Sequence, residues 1–244
     1  MGASQRAFFG VSALLFAACA ALTIVWCASM SAMGELSMPG GWTMSMAWMR
    51  MPGQTWPGAA ASFLGMWGVM MVTMMLPPLL PVLARLRRNR LAALAGAGYF
   101  SVWTLLGAII YGFGSVVART ELQWPAVARL VPLGAAAVLL AAGAVQVSSW
   151  KARQLAVCRA CSAPESRGAA AAWLHGVRFG VNCTLCCLGL MTVLLVGGMM
   201  SIAVVASIAV AIAAERLGPR PDLVAGAIGA AVMATGAVLL ARAL

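Results

Sequence analysis

Long runs of apolar residues, separated by short polar connections, make up most of the chain. Each run is close to the roughly 17–25 residues that an α-helix needs to cross a bilayer. The pattern therefore predicts an all-α fold, a polytopic transmembrane helix bundle of about seven spans. The predicted spans are residues 8–30, 59–84, 92–117, 126–147, 177–196, 199–214 and 223–240.

Two segments decide the number of spans. The apolar stretch over residues 177–214 is too long for one helix, and Gly197-Gly198 in its middle is the natural break. The sixth span is short, so a six-span bundle with this segment re-entrant is the alternative. The first span could be a cleaved signal peptide, but its apolar core is longer than the roughly 7–15 residues typical of such peptides. We therefore expect an uncleaved helix.

Composition supports insertion into a membrane, and charge indicates the orientation. Of the 244 residues, 63% are hydrophobic and 9% are charged, whereas a soluble domain is about one quarter charged. The net charge of +11 could indicate nucleic acid. With a cytoplasmic N-terminus, however, the alternating spans place twelve of the 16 basic residues on the cytoplasmic side, as the positive-inside rule expects. We predict a multi-pass protein of a bacterial inner (plasma) membrane that does not bind nucleic acid.

The connections suggest how the chain is organised. We expect a single integral membrane domain over residues 1–244, with the lipid bilayer as its surroundings. Residues 31–58 are predicted to form a Met-rich outer loop, and residues 148–176 a cytoplasmic loop that carries a CxxC motif.

Carboxylates and histidine are too few for hydrolytic chemistry. The chain has five Asp and Glu residues and one His, so a hard-metal site would lack oxygen ligands and a zinc site could not be built from histidines. Glu215 could couple protons, although a surface ion pair with Arg216 is the simpler interpretation. We predict no catalytic residues.

Methionine is concentrated in the first third of the chain, where twelve of the 17 Met residues fall within residues 30–75. Thioethers are soft ligands that suit Cu(I); the alternative is that Met fills irregular apolar surface. Pro77 and Pro78 are expected to kink or break the second span. Before them, two adjacent rows of one helix face carry sulfur: Met66, Met70 and Met74, and Met71 with Met75.

Cysteine is clustered in the fifth span. Cys183 and Cys187 are one helical turn apart, Met191 follows one turn later, and Cys186 lies beside them. Thiols in this arrangement could bind a soft cation with two or three ligands, although single helical Cys residues usually act as small apolar side chains. The cytoplasmic CxxC motif, Cys158 and Cys161, is a further candidate for metal binding or disulfide exchange.

These residues resemble the bacterial predicted metal-binding integral membrane proteins, a family defined as a domain of unknown function. The resemblance spans roughly residues 66–216 and is most specific in the Cys/Met segment of the fifth span. It departs at Gln154, where the family has Cys, and at Leu185 and Leu188. It implies metal binding without defining an activity. The other matching positions are Trp67, Met70, Met71, Met74, Met75, Pro77, Tyr99, Trp103, Gln146, Lys151, Cys158, Arg159, Gly176, Gly180, Glu215 and Arg216.

Three functions remain open from the sequence. The first is soft-metal handling, with copper as Cu(I) bound or moved between the second and fifth spans, and with zinc as a possible alternative metal. The second is a thiol–disulfide relay through Cys158/Cys161 and Cys183/Cys186. The third is a non-catalytic partner subunit of a membrane complex. In the first and third cases a membrane or periplasmic protein partner is possible.

Overall fold

The computed structural model describes residues 3–51, 53–84, 89–160 and 168–244, and these residues fold almost entirely as α-helix. Eight α-helices occur in the described part of the chain, which confirms the predicted all-α class. They are α1 (Ala3–Ala32), α2 (Trp56–Ala84), α3 (Asn89–Gln123), α4 (Pro125–Gln146), α5 (Ser149–Arg159), α6 (Ala169–Gly197), α7 (Ile202–Leu217) and α8 (Pro221–Ala243).

Six of these helices are long and apolar enough to cross a membrane: α1, α2, α3, α4, α6 and α8. Helix α7 has only 16 residues, which is about 24 Å at the usual helical rise and less than the roughly 30 Å of a hydrocarbon core. At the positions of the seven predicted spans, the structure therefore has six helices that are long enough to cross a membrane and one shorter helix, α7.

The break predicted at Gly197-Gly198 is confirmed, because α6 ends at Gly197 and α7 begins at Ile202. Gly198 has a φ of +96°, a backbone conformation that residues with a side chain rarely adopt. Of the two outcomes predicted at Pro77-Pro78, a kink or a break, the break does not occur, and the kink remains a prediction. Helix α2 continues through Pro77, Pro78 and Pro81 to Ala84, because a proline removes one helical hydrogen bond without forcing the surrounding helix to end.

Residues 31–58 contain regular structure. Two short antiparallel strands, β1 (Leu36–Met38) and β2 (Trp42–Met44), pair Leu36 with Met44 and Met38 with Trp42. A 3-10 turn at Met46–Trp48 follows. The hairpin packs against α3 and α4 through the apolar side chains of Met38 and Met44. This segment is therefore a folded cover over one end of the bundle.

Helices α3 and α7 connect the two sulfur-rich helices. Helix α2 packs against α1, α3 and α7, while α6 packs against α3, α4, α5 and α7. One continuous apolar core contains side chains from α2, α3, α5, α6 and α7. The methionines of α2 and the cysteines of α6 therefore belong to the same core.

Candidate soft-metal site

The candidate site lies on the face of α6 that packs against α3. Gly176 and Gly180 lie one turn apart on this face, where a Cβ at Gly176 would overlap the carbonyl oxygen of Ala95, and one at Gly180 would lie 3.0 Å from that of Tyr99. These glycines let the two backbones approach closely, as small residues do between membrane helices. The next turn of the same face carries Cys183, which is fully buried.

Cys183 is surrounded by sulfur, hydroxyl and guanidinium groups. Its Sγ lies 3.9 Å from Sγ of Cys187. Tyr99 Oη donates a hydrogen bond to Cys183 Sγ at 3.1 Å, and Arg216 donates one from its guanidinium at 2.7 Å. Two thiolates on one tetrahedral metal with bonds of about 2.3 Å would be roughly 3.8 Å apart. The Cys183–Cys187 pair therefore has the spacing of two ligands of one soft cation.

Helix α5 brings Cys158 to the same place. Its side chain is buried although α5 is a short, largely polar helix that follows α4. Hydrogen bonding with the Cys183 and Cys186 sulfurs, together with burial, raises the pKa of the Cys158 thiol well above its usual value. Cys158 therefore lies within hydrogen-bonding reach of both Cys183 and Cys186. Its predicted CxxC partner, Cys161, lies outside the described residues.

A buried ion pair fixes α5 and α7 against α6. Lys151 Nζ lies 2.6 Å from a carboxylate oxygen of Glu215 and donates a second hydrogen bond, 2.7 Å long, to the carbonyl of Cys186. Gln146 donates to the other Glu215 oxygen. The interpretation of Glu215 and Arg216 as a surface pair is wrong, because both are buried and Glu215 is paired with Lys151 instead. The sequence places them at a helix end, but the docking of α5 covers that end.

The C-terminal end of α7 is held by Arg159. Its guanidinium donates hydrogen bonds to the carbonyl oxygens of Glu215, Arg216 and Gly218, at 3.1, 2.9 and 2.9 Å. These are carbonyls that the end of a helix leaves without helical partners. Arg159 thereby fixes the turn from which Arg216 reaches Cys183.

Among the residues that the structure describes, the charges near the thiols do not cancel. Lys151 and Glu215 neutralise each other, which leaves Arg216 with its guanidinium 5.1 Å from the ring centroid of Phe179 and in contact with Cys183. A buried cation without a counter-charge is strongly unfavourable. An anionic group at the sulfur position of Cys183 would balance it.

The methionines of α2 are buried in the same core as the thiols. Met70, Met71, Met74 and Met75 are each at most 2% exposed, and Met191 of α6 is 3% exposed. They share that core with Cys183, Cys186 and Cys187. Their role as metal ligands remains a prediction.

Within the described ranges, no group of three or more His, Cys, Asp and Glu side chains has the arrangement of a ready metal site. The closest soft-ligand arrangement is therefore the Cys183–Cys187 pair, with Cys158 and Cys186 beside it. A cavity of about 150 Å³ opens next to this cluster. It is lined by Pro78, Pro81, Val82, Cys158, Arg159, Arg216 and Leu217.

Sequence reasoning did not assign a role to Tyr99, Lys151 or Arg216, which all contact the site. Lys151 contributed only to the charge count, and Arg216 only to that count and to the expected surface pair with Glu215, because a basic residue in a membrane protein usually marks a cytoplasmic connection. A usable signal was present: each of the three belongs to the residues that carry the family resemblance, and the structure brings them around the cysteines.

Comparison with known proteins links the chain to copper. Searches among curated proteins and among solved structures gave no match. Residues 64–239, well over half of the chain, match the family described as PpoB2, copper chaperone. The matched region contains the cysteine cluster, its surrounding charges and the Met rows of α2, and it confirms the metal-related part of the resemblance seen in the sequence. The chain belongs to the PpoB2 copper chaperone family.

Proposed function

We propose that the protein handles copper by binding Cu(I) inside the helix bundle, between the Cys183 and Cys187 sulfurs. The single observation that carries the proposal is the contact of Arg216 with a sulfur that already lies 3.9 Å from a second thiol. Thiolate sulfur is a preferred ligand of Cu(I). The copper ion is the cargo of the protein.

Charge balance favours a monovalent cargo at this pair. Cu(I) with two thiolates carries one net negative charge, which the guanidinium of Arg216 neutralises. Zn²⁺ with the same two thiolates would be neutral and would leave the buried cation without a counter-charge. Zinc would need a third thiolate, for which Cys186 is the nearest candidate. Cu(I) therefore balances the charge of Arg216 with two thiolate ligands, whereas Zn²⁺ would need three.

Neighbouring side chains would support exchange of the ion. Cys186 and Cys158 lie within hydrogen-bonding reach of each other, and Cys158 also reaches Cys183. A third thiol beside a two-ligand site allows a new bond to form before an old bond breaks. Met70, Met71, Met74 and Met75 of α2, together with Met191, supply weaker soft ligands in the same core. We propose that these methionines extend the copper path through the bundle.

The distribution of basic residues indicates which end of the proposed copper path faces the cytoplasm. We propose that the thiol cluster faces the cytoplasm of a bacterial cell, because nine of the 16 basic residues fall in α5, at the end of α7 or in the sequence just after α2 and α7. The Met-rich cover would then face the outside, where thiols would oxidise and thioethers would not form disulfides. Transfer between the two sides, and delivery to a protein partner, would fit this order of ligands.

Metal analysis of the purified protein tests the proposal. Detergent-purified protein would be reduced, loaded with Cu(I) without oxygen and desalted, and copper and zinc would be measured per chain. Changing Cys183→Ser with Cys187→Ser should remove about one equivalent of copper. The matched control is Cys19→Ser with Cys27→Ser, a pair that is also buried but lies in α1.

The outcomes separate the proposed function from its alternatives. Equal copper content in the two double variants would contradict the thiol site. Zinc in place of copper, lost in the Cys183/Cys187 variant, would indicate a structural thiolate site. An absence of either metal in the unmodified protein would favour the partner-subunit hypothesis, in which the sulfur atoms only fill the core.

A further inference from the structure

A second sulfur-rich cavity lies at the other end of α2. It has a volume of about 90 Å³ and is bounded by the end of α1, the folded cover and the first turns of α2. A water molecule needs only about 10–15 Å³ of such volume, so the cavity has room for an ion. Six methionines line it: Met30, Met33, Met46, Met49, Met51 and Met66.

The backbone that presents these methionines is ordered by specific contacts. Ser45 caps the 3-10 turn by accepting a hydrogen bond from the Ala47 amide, and Met49 closes the turn by donating to the Met46 carbonyl at 3.1 Å. Trp48 of this turn packs on Phe63 of α2 with the ring centroids 5.5 Å apart. The hairpin before it is fixed by a hydrogen bond of 2.9 Å from Trp42 Nε1 to a carbonyl of α4. The thioethers are therefore carried by a backbone that is held in place by hydrogen bonds and ring packing.

The side chains that line the cavity favour some cations over others. Gln54 and Ser62 are the polar side chains among the described lining residues, and no carboxylate, histidine or thiol contributes. The Gln54 side-chain oxygen already accepts a hydrogen bond from the Met51 amide at 3.3 Å. Hard cations such as Ca²⁺ and Mg²⁺ require several oxygen ligands. Neutral thioethers add no charge, so they suit a soft monovalent ion.

We propose that this cavity is a second metal site, in which thioethers of the Met-rich cover and of Met66 bind Cu(I). Packing alone does not account for the arrangement, because methionines that served only as apolar filler would close the cavity they surround. Met38 and Met44 of the same segment do behave as filler, since they are buried in the hairpin against Ala118 and Ala128.

The site is separate from the thiol cluster and lies mostly outside the family match. Five of the six methionines precede residue 64, where that match begins. Met66 lies in the row that continues to Met70 and Met74, so it is the lining residue that is nearest along α2 to the buried methionines. The distance along α2 from Met66 to Pro78, at the thiol-side cavity, is about 18 Å at the helical rise.

The test compares two pairs of methionines within one segment. Met46→Leu with Met49→Leu changes two lining residues, and Met38→Leu with Met44→Leu changes two filler residues. Leu and Met are close in volume, so both variants should fold, which circular dichroism and size-exclusion chromatography would verify. Cu(I) binding would be titrated without oxygen against a competing chelator. Each pair would be made in the unmodified chain and in the Cys183→Ser, Cys187→Ser chain.

We expect M46L/M49L to lose one equivalent of bound Cu(I), or to bind it at least tenfold more weakly, while M38L/M44L keeps it. The loss should also occur in the chain that lacks the two thiols, so a failure of the thiol site leaves this result interpretable. Unchanged binding in M46L/M49L, or equal losses in both pairs, would overturn the proposal.

Discussion

The contact between Arg216 and Cys183 combines a permanent positive charge with a buried sulfur. The guanidinium nitrogen lies 2.7 Å from Sγ, and Tyr99 donates to the same sulfur from the opposite helix. Donors that converge on one sulfur stabilise its anionic form and therefore its capacity to bind a cation. The affinity of the thiol pair should depend on these neighbours as well as on the cysteines themselves.

Replacing Arg216 tests this dependence. We expect R216Q to weaken Cu(I) binding by about 10–100-fold, the usual effect of removing a group that supports a metal ligand. R216K should be intermediate, because lysine keeps the charge but lacks the planar donor group. The affinity would be measured by chelator competition, with R178Q as the control because Arg178 is an exposed arginine on α6, the helix that carries Cys183. Equal affinities in R216Q and R178Q would contradict a role for Arg216.

At the residue level the sequence predicted the arrangement of the candidate thiols better than their surroundings. The spacing of Cys183 and Cys187 predicted one helical face, and the structure places both sulfurs together. The burial of Lys151, Glu215 and Arg216 could not be predicted from local pattern, because it depends on α5 docking onto α6 and α7. Each of these residues is flanked by polar or helix-end positions, which are typical of a cytoplasmic connection.

At the scale of elements, the close contact of α3 and α6 sets the geometry of the site. Gly98 and Gly176 each face backbone atoms of the opposite helix, so neither position has space for a Cβ. This approach brings Tyr99 of α3 within hydrogen-bonding distance of Cys183. A wider separation of the helices would remove that hydrogen bond first.

Gly176→Ala should therefore destabilise the protein. The added methyl group would overlap the Ala95 carbonyl, and overpacking of this kind typically costs about 1–3 kcal/mol. The expected result is a lower thermal unfolding midpoint in detergent, together with weaker Cu(I) binding. Gly112→Ala in α3 is the control, since nothing lies within 4 Å of a Cβ there. Identical midpoints for the two variants would show that α3 and α6 can separate without cost.

The elements themselves were largely predictable, because apolar length determines where membrane helices can form. The Gly197-Gly198 break was predicted for the same reason, and the structure ends α6 there. The hairpin in residues 31–58 was not predicted, since its strands have three residues each and their pairing depends on the support of α3 and α4. The sequence left open whether the prolines kink or break α2, and the structure shows that the helix continues through them.

On the scale of the whole molecule, the cavity lined by thioethers is separated along the bundle from the thiols and the buried charges. The thioether-lined cavity lies near the start of α2, and the buried charges with the thiols lie near its end. Apolar composition predicted the bundle, but the number of crossings depends on α7, whose 16 residues are marginal for a span.

Reporter fusions test the topology. Alkaline phosphatase, which is active only outside the cytoplasm, should be active when fused after Leu244 if α7 crosses the membrane. A fusion after Gly198 should be active with either six or seven spans and is the control. An inactive fusion at Leu244 beside an active fusion at Gly198 would contradict the seven-span topology and indicate a re-entrant α7.

The prolines of α2 have a mechanical consequence for the thiol-side cavity. Proline has no amide hydrogen, so the carbonyl oxygens four residues before Pro77, Pro78 and Pro81 lack their helical donors. Helices bend most easily where such bonds are missing. Pro78 and Pro81 line the cavity beside Cys158 and Arg216. One wall of this cavity is therefore formed by a segment of α2 whose main chain bends more easily than that of an uninterrupted helix.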